Sequence, residues 1–183
     1  MEPIEGHFHF IGIGGAGMSV VAELLAARGA RVTGSDRADS DVLARLNEKG
    51  IRAFVGHDAT HVDDDATVVV STAIRESNPE LARARELGLD VIHRSQALAL
   101  AAGGMRFVGV AGAHGKTTTS GMIAVGLRAA GLDPSVAVGG IVPQFGSGAH
   151  LGTSDVFVAE ADESDGSFLN YTPSIEVVTN VEP

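Results

Sequence analysis

The chain has 183 residues, 44% hydrophobic and 20% charged, with 24 glycines, which suits one compact α/β unit or two small ones and excludes a disordered or fibrous chain. With 23 acidic against 13 basic residues the formal net charge is −10, so the surface repels nucleic acid and anionic membrane, and phosphate must be held by local backbone and single lysines. The absence of cysteine removes disulfides, thiolate metal sites and cysteine nucleophiles together.

Along the chain, MEPIEGHF lacks a basic region followed by an apolar one, and no apolar run reaches membrane-spanning length; a soluble cytoplasmic protein is the expectation. HFHFIGI (7–13) predicts a buried strand leading into a glycine turn. From Gly15, Met18, Val21, Leu24 and Leu25 share one helical face, and Gly29 ends the helix. ARVTGSD (30–36) predicts a second strand, and Val42, Leu43 and Leu46 mark a second helix ending at Gly50. ATVVVST (66–72) is a third strand. SNPELARARELG (77–88) is a helix with Asn78 as N-cap, Pro79 at its first position and Gly88 at its close. LDVIHR (89–94) is a fourth strand and SQALALAAGGM (95–105) a further helix. Such alternation predicts a parallel sheet covered by helices. RFVGVAG (106–112) begins the pattern again, so a domain boundary is expected near Gly104. A helix over about 116–130 follows, with strands near 134–139, 154–161 and 174–181. A parallel unit that ends on a strand is expected to be incomplete.

Two glycine loops stand out. GIGGAG (12–17) fits G-x-G-x-x-G through Gly12, Gly14 and Gly17, directly after a strand and at the start of a helix, which is the context a dinucleotide-type phosphate turn needs. Gly12 would permit the turn, Gly14 the approach of a pyrophosphate, and Gly17 close packing of helix on strand, while Asp36 stands where such folds place a carboxylate on a ribose. GVAGAHGKTTT (109–119) also lies between a strand and a helix, but the first glycine of the strict G-x-x-x-x-G-K-[ST] pattern falls on Val110. The physical parts remain. Gly112 and Gly115 can form an anion nest, Lys116 can reach the β and γ phosphates, and the Thr117 hydroxyl can ligate Mg²⁺. A lysine in the first helical turn opposes the helix dipole, so a phosphate explains it better than chance. His114 either orients a phosphate or caps the helix. His57 and His93 receive no role.

VFVAEADESDGSF (156–168) closes a strand and crowds Glu160, Asp162, Glu163 and Asp165. Such crowding is costly unless a cation sits there. Glu160, nearest the strand, is the expected Mg²⁺ ligand, and a solvated acidic loop is the alternative for Glu163 and Asp165.

HFIGIGGAGMS (9–19), GAHGKTTT (112–119) and EADESDGSFL (160–169), followed by VTNVEP (178–183), together resemble the ATP-dependent Mur ligases. That family uses a shortened phosphate loop, so Val110 is no defect. The resemblance implies an α/β fold: a Rossmann-like parallel-sheet domain over 1–104 that holds a UDP-sugar, then over 105–183 the first part of a P-loop-type ATPase domain that holds ATP and Mg²⁺. A third domain would lie beyond these residues, so the chain as given is expected to bind without ligating. The implied reaction joins L-alanine to UDP-N-acetylmuramate through an acyl phosphate, in peptidoglycan precursor synthesis. Gly12, Ile13, Gly14, Gly15, Ala16, Gly17, Met18 and Ser19, with Asp36 nearby, would take the uridine diphosphate. Gly112, Ala113, His114, Gly115, Lys116, Thr117 and Thr118 would take ATP, Lys116 neutralising charge during transfer, and Thr117 and Glu160 would hold Mg²⁺. The sequence departs from the family pattern at Ala113, usually threonine, and in GAHLG (148–152), which lacks an asparagine and a longer basic residue. It also stops at Pro183, before an expected aspartate–histidine pair. A relative that joins a whole tripeptide to the same sugar is the near alternative. An NAD-dependent dehydrogenase would explain residues 1–100 alone and leave Lys116, the threonines and the acidic cluster unused; a non-catalytic nucleotide-binding module is the third reading.

Overall fold

The computed structural model describes residues 2–161 and 171–181. The chain divides into two compact units, Met1–Ala97 and Leu98–Pro183, and the division falls inside one helix.

The first unit is a five-stranded parallel sheet in the order β3-β2-β1-β4-β5. Its strands are β1 (His7–Ile11), β2 (Arg31–Asp36), β3 (Arg52–Val55), β4 (Ala66–Val70) and β5 (Val91–His93), and its helices are α1 (Ala16–Ala27), α2 (Asp41–Glu48) and α3 (Pro79–Glu86). All five residues of β1 are buried, as a central strand covered on both faces must be. From β1 the chain builds outward to β2 and β3, then returns to lay β4 and β5 on the other side. The order reverses between β1 and β4, so the C-terminal ends of these strands border a crevice, the place where open α/β sheets take ligands.

Local chemistry accounts for the helices. α1 buries Met18, Val21, Leu24 and Leu25, each worth about 1.5–3 kcal/mol when taken from water, and Gly29 at φ +100° stops it. Asn78 caps α3 as expected, its side chain accepting from the amides of Glu80 (2.9 Å) and Leu81 (3.3 Å), with Pro79 at the first position. The sequence reading missed β3. It is four residues long at the sheet edge and shows no buried alternation. Its capture is local: the Asn47 amide at the end of α2 donates to the Ala53 carbonyl (3.2 Å) and accepts from the Ala53 amide (3.1 Å).

Helix α4 (Arg94–Ala102) runs across the division. The second unit then adds β6 (Arg106–Ala111), α5 (Lys116–Ala129), β7 (Ser135–Val142), β8 (Ser147–His150), β9 (Val156–Glu160) and β10 (Ile175–Val178), in the sheet order β10-β6-β9-β7-β8. This sheet is mixed, not wholly parallel, because β7 and β8 form an antiparallel hairpin. The sequence Ser-Gly-Ala-His of β8 has no β-branched or aromatic residue before its histidine, which left the strand unread. Val108, Val156 and Val158 pack with Ile123 and Leu127, and Ala124, Val136, Val138 and Val142 with Val125 and Phe145. Among the described residues no helix is long and apolar enough to cross a membrane.

Candidate functional site

In the first unit the chain leaves β1 at Ile11 and turns at Gly12, whose φ of +84° favours glycine. The Ser35 carbonyl, at the end of neighbouring β2, accepts from both the Gly12 (2.8 Å) and Ile13 (2.9 Å) amides. Ile13 is fully buried and anchors the turn, while Gly15 and Ala16 face solvent. Gly15 precedes α1 without a side-chain cap, so the first helical amides are available to an anion. Met18 and Ser19 are buried, and Ser19 Oγ donates to the Ala16 carbonyl (3.2 Å). These two pack the helix; they do not line the open side of the loop.

Two of the loop glycines also stand against groups of the protein itself. Asp36 Oδ2 accepts from the Gly14 amide at 2.9 Å, and a β-carbon on Gly14 would lie 2.8 Å from that oxygen and 2.9 Å from Leu43 Cδ1. A side chain at Gly14 would therefore meet the protein itself, and one oxygen of Asp36 ties β2 to the loop. Gly17 makes room for the guanidinium of Arg94, the first residue of α4. Ile74, after β4, packs at Gly12.

Behind this loop lies a polar hub that motif reading did not find. Glu80 is fully buried. Its Oε2 accepts from Ser35 Oγ (2.5 Å), and its Oε1 bonds His61 Nδ1 (2.9 Å) and the Asp58 amide (3.3 Å). His57 Nδ1 stands 3.4 Å and His9 Nε2 3.5 Å from Oε2, and His57 Nδ1 is also 2.8 Å from Ser35 Oγ. Burial pushes the Glu80 pKa up, but the nearby His9 ring and hydrogen bonds from Ser35 and His61 outweigh it and hold the carboxyl at about 2. His57, given no role from sequence, belongs to this hub. His7, Asp63 and Asp65 also gather their ligand atoms within 4.8 Å, but Arg31 already sits against both carboxylates, at 2.7 and 3.7 Å.

In the second unit, Gly112 (φ +129°) and Gly115 (φ +84°) carry the chain from β6 into α5. Ala113, His114, Gly115, Thr117 and Thr118 are exposed. Lys116 Nζ donates to the Gly112 carbonyl at 2.6 Å, which lays the ammonium across the loop. Two residues after β10 grip the loop from behind. Thr179 Oγ1 donates to the His114 carbonyl (2.6 Å), and the Asn180 amide pairs with both the His114 carbonyl (2.9 Å) and its N–H (3.2 Å). A β-carbon on Gly112 would overlap Thr179 Oγ1 and stand 3.0 Å from the Asn180 amide nitrogen. Their part was invisible in sequence, lying some 65 residues from the loop.

Glu160 ends β9 beside β6, in register with Val110. Its Oε1 accepts from the Gly139 amide (3.3 Å), and a β-carbon on adjacent Gly140 would lie 3.0 Å from Thr117 Cγ2. Thr117 and Glu160 thus approach the same glycine pair from two elements. A hydroxyl and a carboxylate are the hard oxygen donors that Mg²⁺ takes, so these residues fit that ion. Asp162, Glu163 and Asp165 lie outside the described residues. A groove of about 540 Å³ runs from Thr117 and Thr118 along Met122 and Val125 to Ile141 and Pro143. In the GAHLG segment, His150 is paired with Asp133 at 2.8 Å.

The model of the Mur ligase family, catalytic domain, matches residues 7–106. The chain is 58% identical over 177 residues to the UDP-N-acetylmuramate–L-alanine ligase of Paenarthrobacter aurescens, covering 97% of this chain and 39% of the relative. It thus spans about two fifths of the length of the curated relatives it matches. The crystal structure of a UDP-N-acetylmuramate–alanine ligase from Thermotoga maritima superposes with a TM-score of 0.87 at 33% identity, over 96% of this chain and 41% of that one. A UDP-N-acetylmuramate:L-alanyl-γ-D-glutamyl-meso-diaminopimelate ligase from Neisseria meningitides gives 0.90 at 32% identity, over 98% and 61%.

Proposed function

The chain belongs to the Mur ligase family, and from that premise we propose that it serves an ATP-dependent ligase joining L-alanine to UDP-N-acetylmuramate in peptidoglycan precursor synthesis. The observation that carries the reading is one chain with two different phosphate-type loops, the second of which brings Lys116, Thr117 and Glu160 to one sheet edge. In this reading the first unit takes the UDP-sugar on the open side of the loop at Gly12 and Gly14–Gly17, with Ile13, Met18 and Ser19 buried as its support and Asp36 setting the loop from behind. The second takes the ATP phosphates on Gly112–Thr118. The sugar's lactyl carboxylate attacks the γ-phosphorus and ADP leaves; the alanine amine then attacks the acyl carbon, phosphate leaves and the amine gives up a proton. Lys116 exchanges the Gly112 carbonyl for a phosphate oxygen and offsets the charge that moves during transfer. Thr117 and Glu160 would hold Mg²⁺, which when bound neutralises phosphate oxygens. The backbone amides of Ala113 and Gly115 orient the phosphate chain, while that of His114 is held by Asn180.

The identity to alanine ligases favours alanine, and the 0.90 superposition on the tripeptide ligase keeps that acceptor as the second reading. In the protein that carries this chain, ATP-dependent phosphate release should require UDP-N-acetylmuramate and L-alanine together. Release driven by the tripeptide and not by alanine would replace the first reading with the second. Release with neither would end both.

A further inference from the structure

The side-chain position of Gly17, in the first turn of α1, is filled by Arg94. Its Nη1 would overlap a β-carbon there, and its Cζ stands 3.2 Å and its Cδ 3.4 Å from that point. Arg94 opens α4 at the end of β5, so its guanidinium reaches the glycine loop from the far side of β4, across the crevice where the strand order reverses. The backbone around it is fixed. The His93 amide donates to Gln96 Oε1 (2.8 Å), and fully buried Ser95 shares a 2.8 Å bond with His93 Nδ1. Gly15 and Ala16, which precede Gly17 in the loop, are exposed, and Asp36 Oδ2 accepts from the Gly14 amide.

We propose that Arg94 is a binding residue of the first site, contacting the diphosphate of a nucleoside diphosphate ligand; this rests on the reading of that site as the UDP-sugar site. A net charge of −10 makes approach of a diphosphate unfavourable unless a cation stands at its landing point. An arginine fits better than a lysine there, because its planar fork can give two parallel N–H···O bonds to one phosphate and is more weakly hydrated. Gly17 is then a specificity device: any side chain at that position would push the guanidinium away from the loop.

The test compares Arg94→Gln, which keeps the stem over Gly17 without the charge, and Arg94→Lys, which keeps the charge without the fork. UDP is titrated calorimetrically, and the bound ligand is followed by ³¹P and uracil ¹H resonances. Arg94→Gln should weaken UDP binding at least about tenfold, with Arg94→Lys between it and wild type. The ³¹P shifts of bound UDP should change while the uracil protons stay in place. Wild-type affinity in Arg94→Gln would overturn the proposal. So would a loss of affinity in which uracil protons move as much as the phosphates, which marks a structural role. Failure of the wild-type chain to bind UDP would remove the first-site reading itself, and this proposal with it.

Discussion

Lys116 places its ammonium 2.6 Å from the Gly112 carbonyl, a cation in the first turn of a helix whose dipole repels it. That position costs a few tenths of a kcal/mol to about 1 kcal/mol in the absence of an anion, and a bound phosphate reverses the sign. Lys116→Ala should therefore leave thermal stability unchanged or slightly raised. In the protein that carries this chain it should lower single-turnover phosphoryl transfer by about a hundredfold or more. Ligation near the wild-type rate would reduce Lys116 to a surface lysine. At Gly14 the motif supplies the glycine, and the neighbours that forbid a side chain are Asp36 and Leu43 of this chain.

Among the elements, β2 and α3 are joined through one buried carboxylate. Ser35 holds the Gly12 and Ile13 amides with its carbonyl and Glu80 with its hydroxyl, so the shape of the first loop depends on a helix residue 45 positions further on. Glu80 titrates at about 2 against the ordinary 4.5. A depressed carboxylate stabilises the fold fully above its unfolded value and loses that contribution as pH falls from about 4.5 towards 2; the difference is worth on the order of 3 kcal/mol. Thermal melts should show Glu80→Gln clearly less stable than wild type at pH 7, with the gap narrowing below pH 4. A gap independent of pH would mean that the ionised form contributes nothing. The sequence made α1, α3 and both glycine loops legible because capping, periodicity and turn chemistry act within a few residues. It concealed β3 and β8, edge strands set by Asn47 and by hairpin pairing. It also concealed Arg94, Glu80, Thr179 and Asn180, whose partners are brought close only by the sheet.

For the molecule as a whole, the two units differ in how their strands are covered. Every residue of β1 is buried, whereas Ile175 and Val178 of β10 are 58% and 54% exposed. Amide exchange should accordingly be slower in β1, β2 and β4 than in β8 and β10, and equal protection across them would contradict this account of the packing. The grip of Thr179 and Asn180 on His114 carries a consequence for time as well as space. Those residues follow β10, so the second loop must wait for a contact closed across 65 residues, whereas every group that shapes the first loop is present once residue 94 has been added. Closing so long a segment is slow compared with local helix and turn formation. On a ribosome the two loops therefore mature in sequence: the emerging chain holds a finished first cradle while the second is still open.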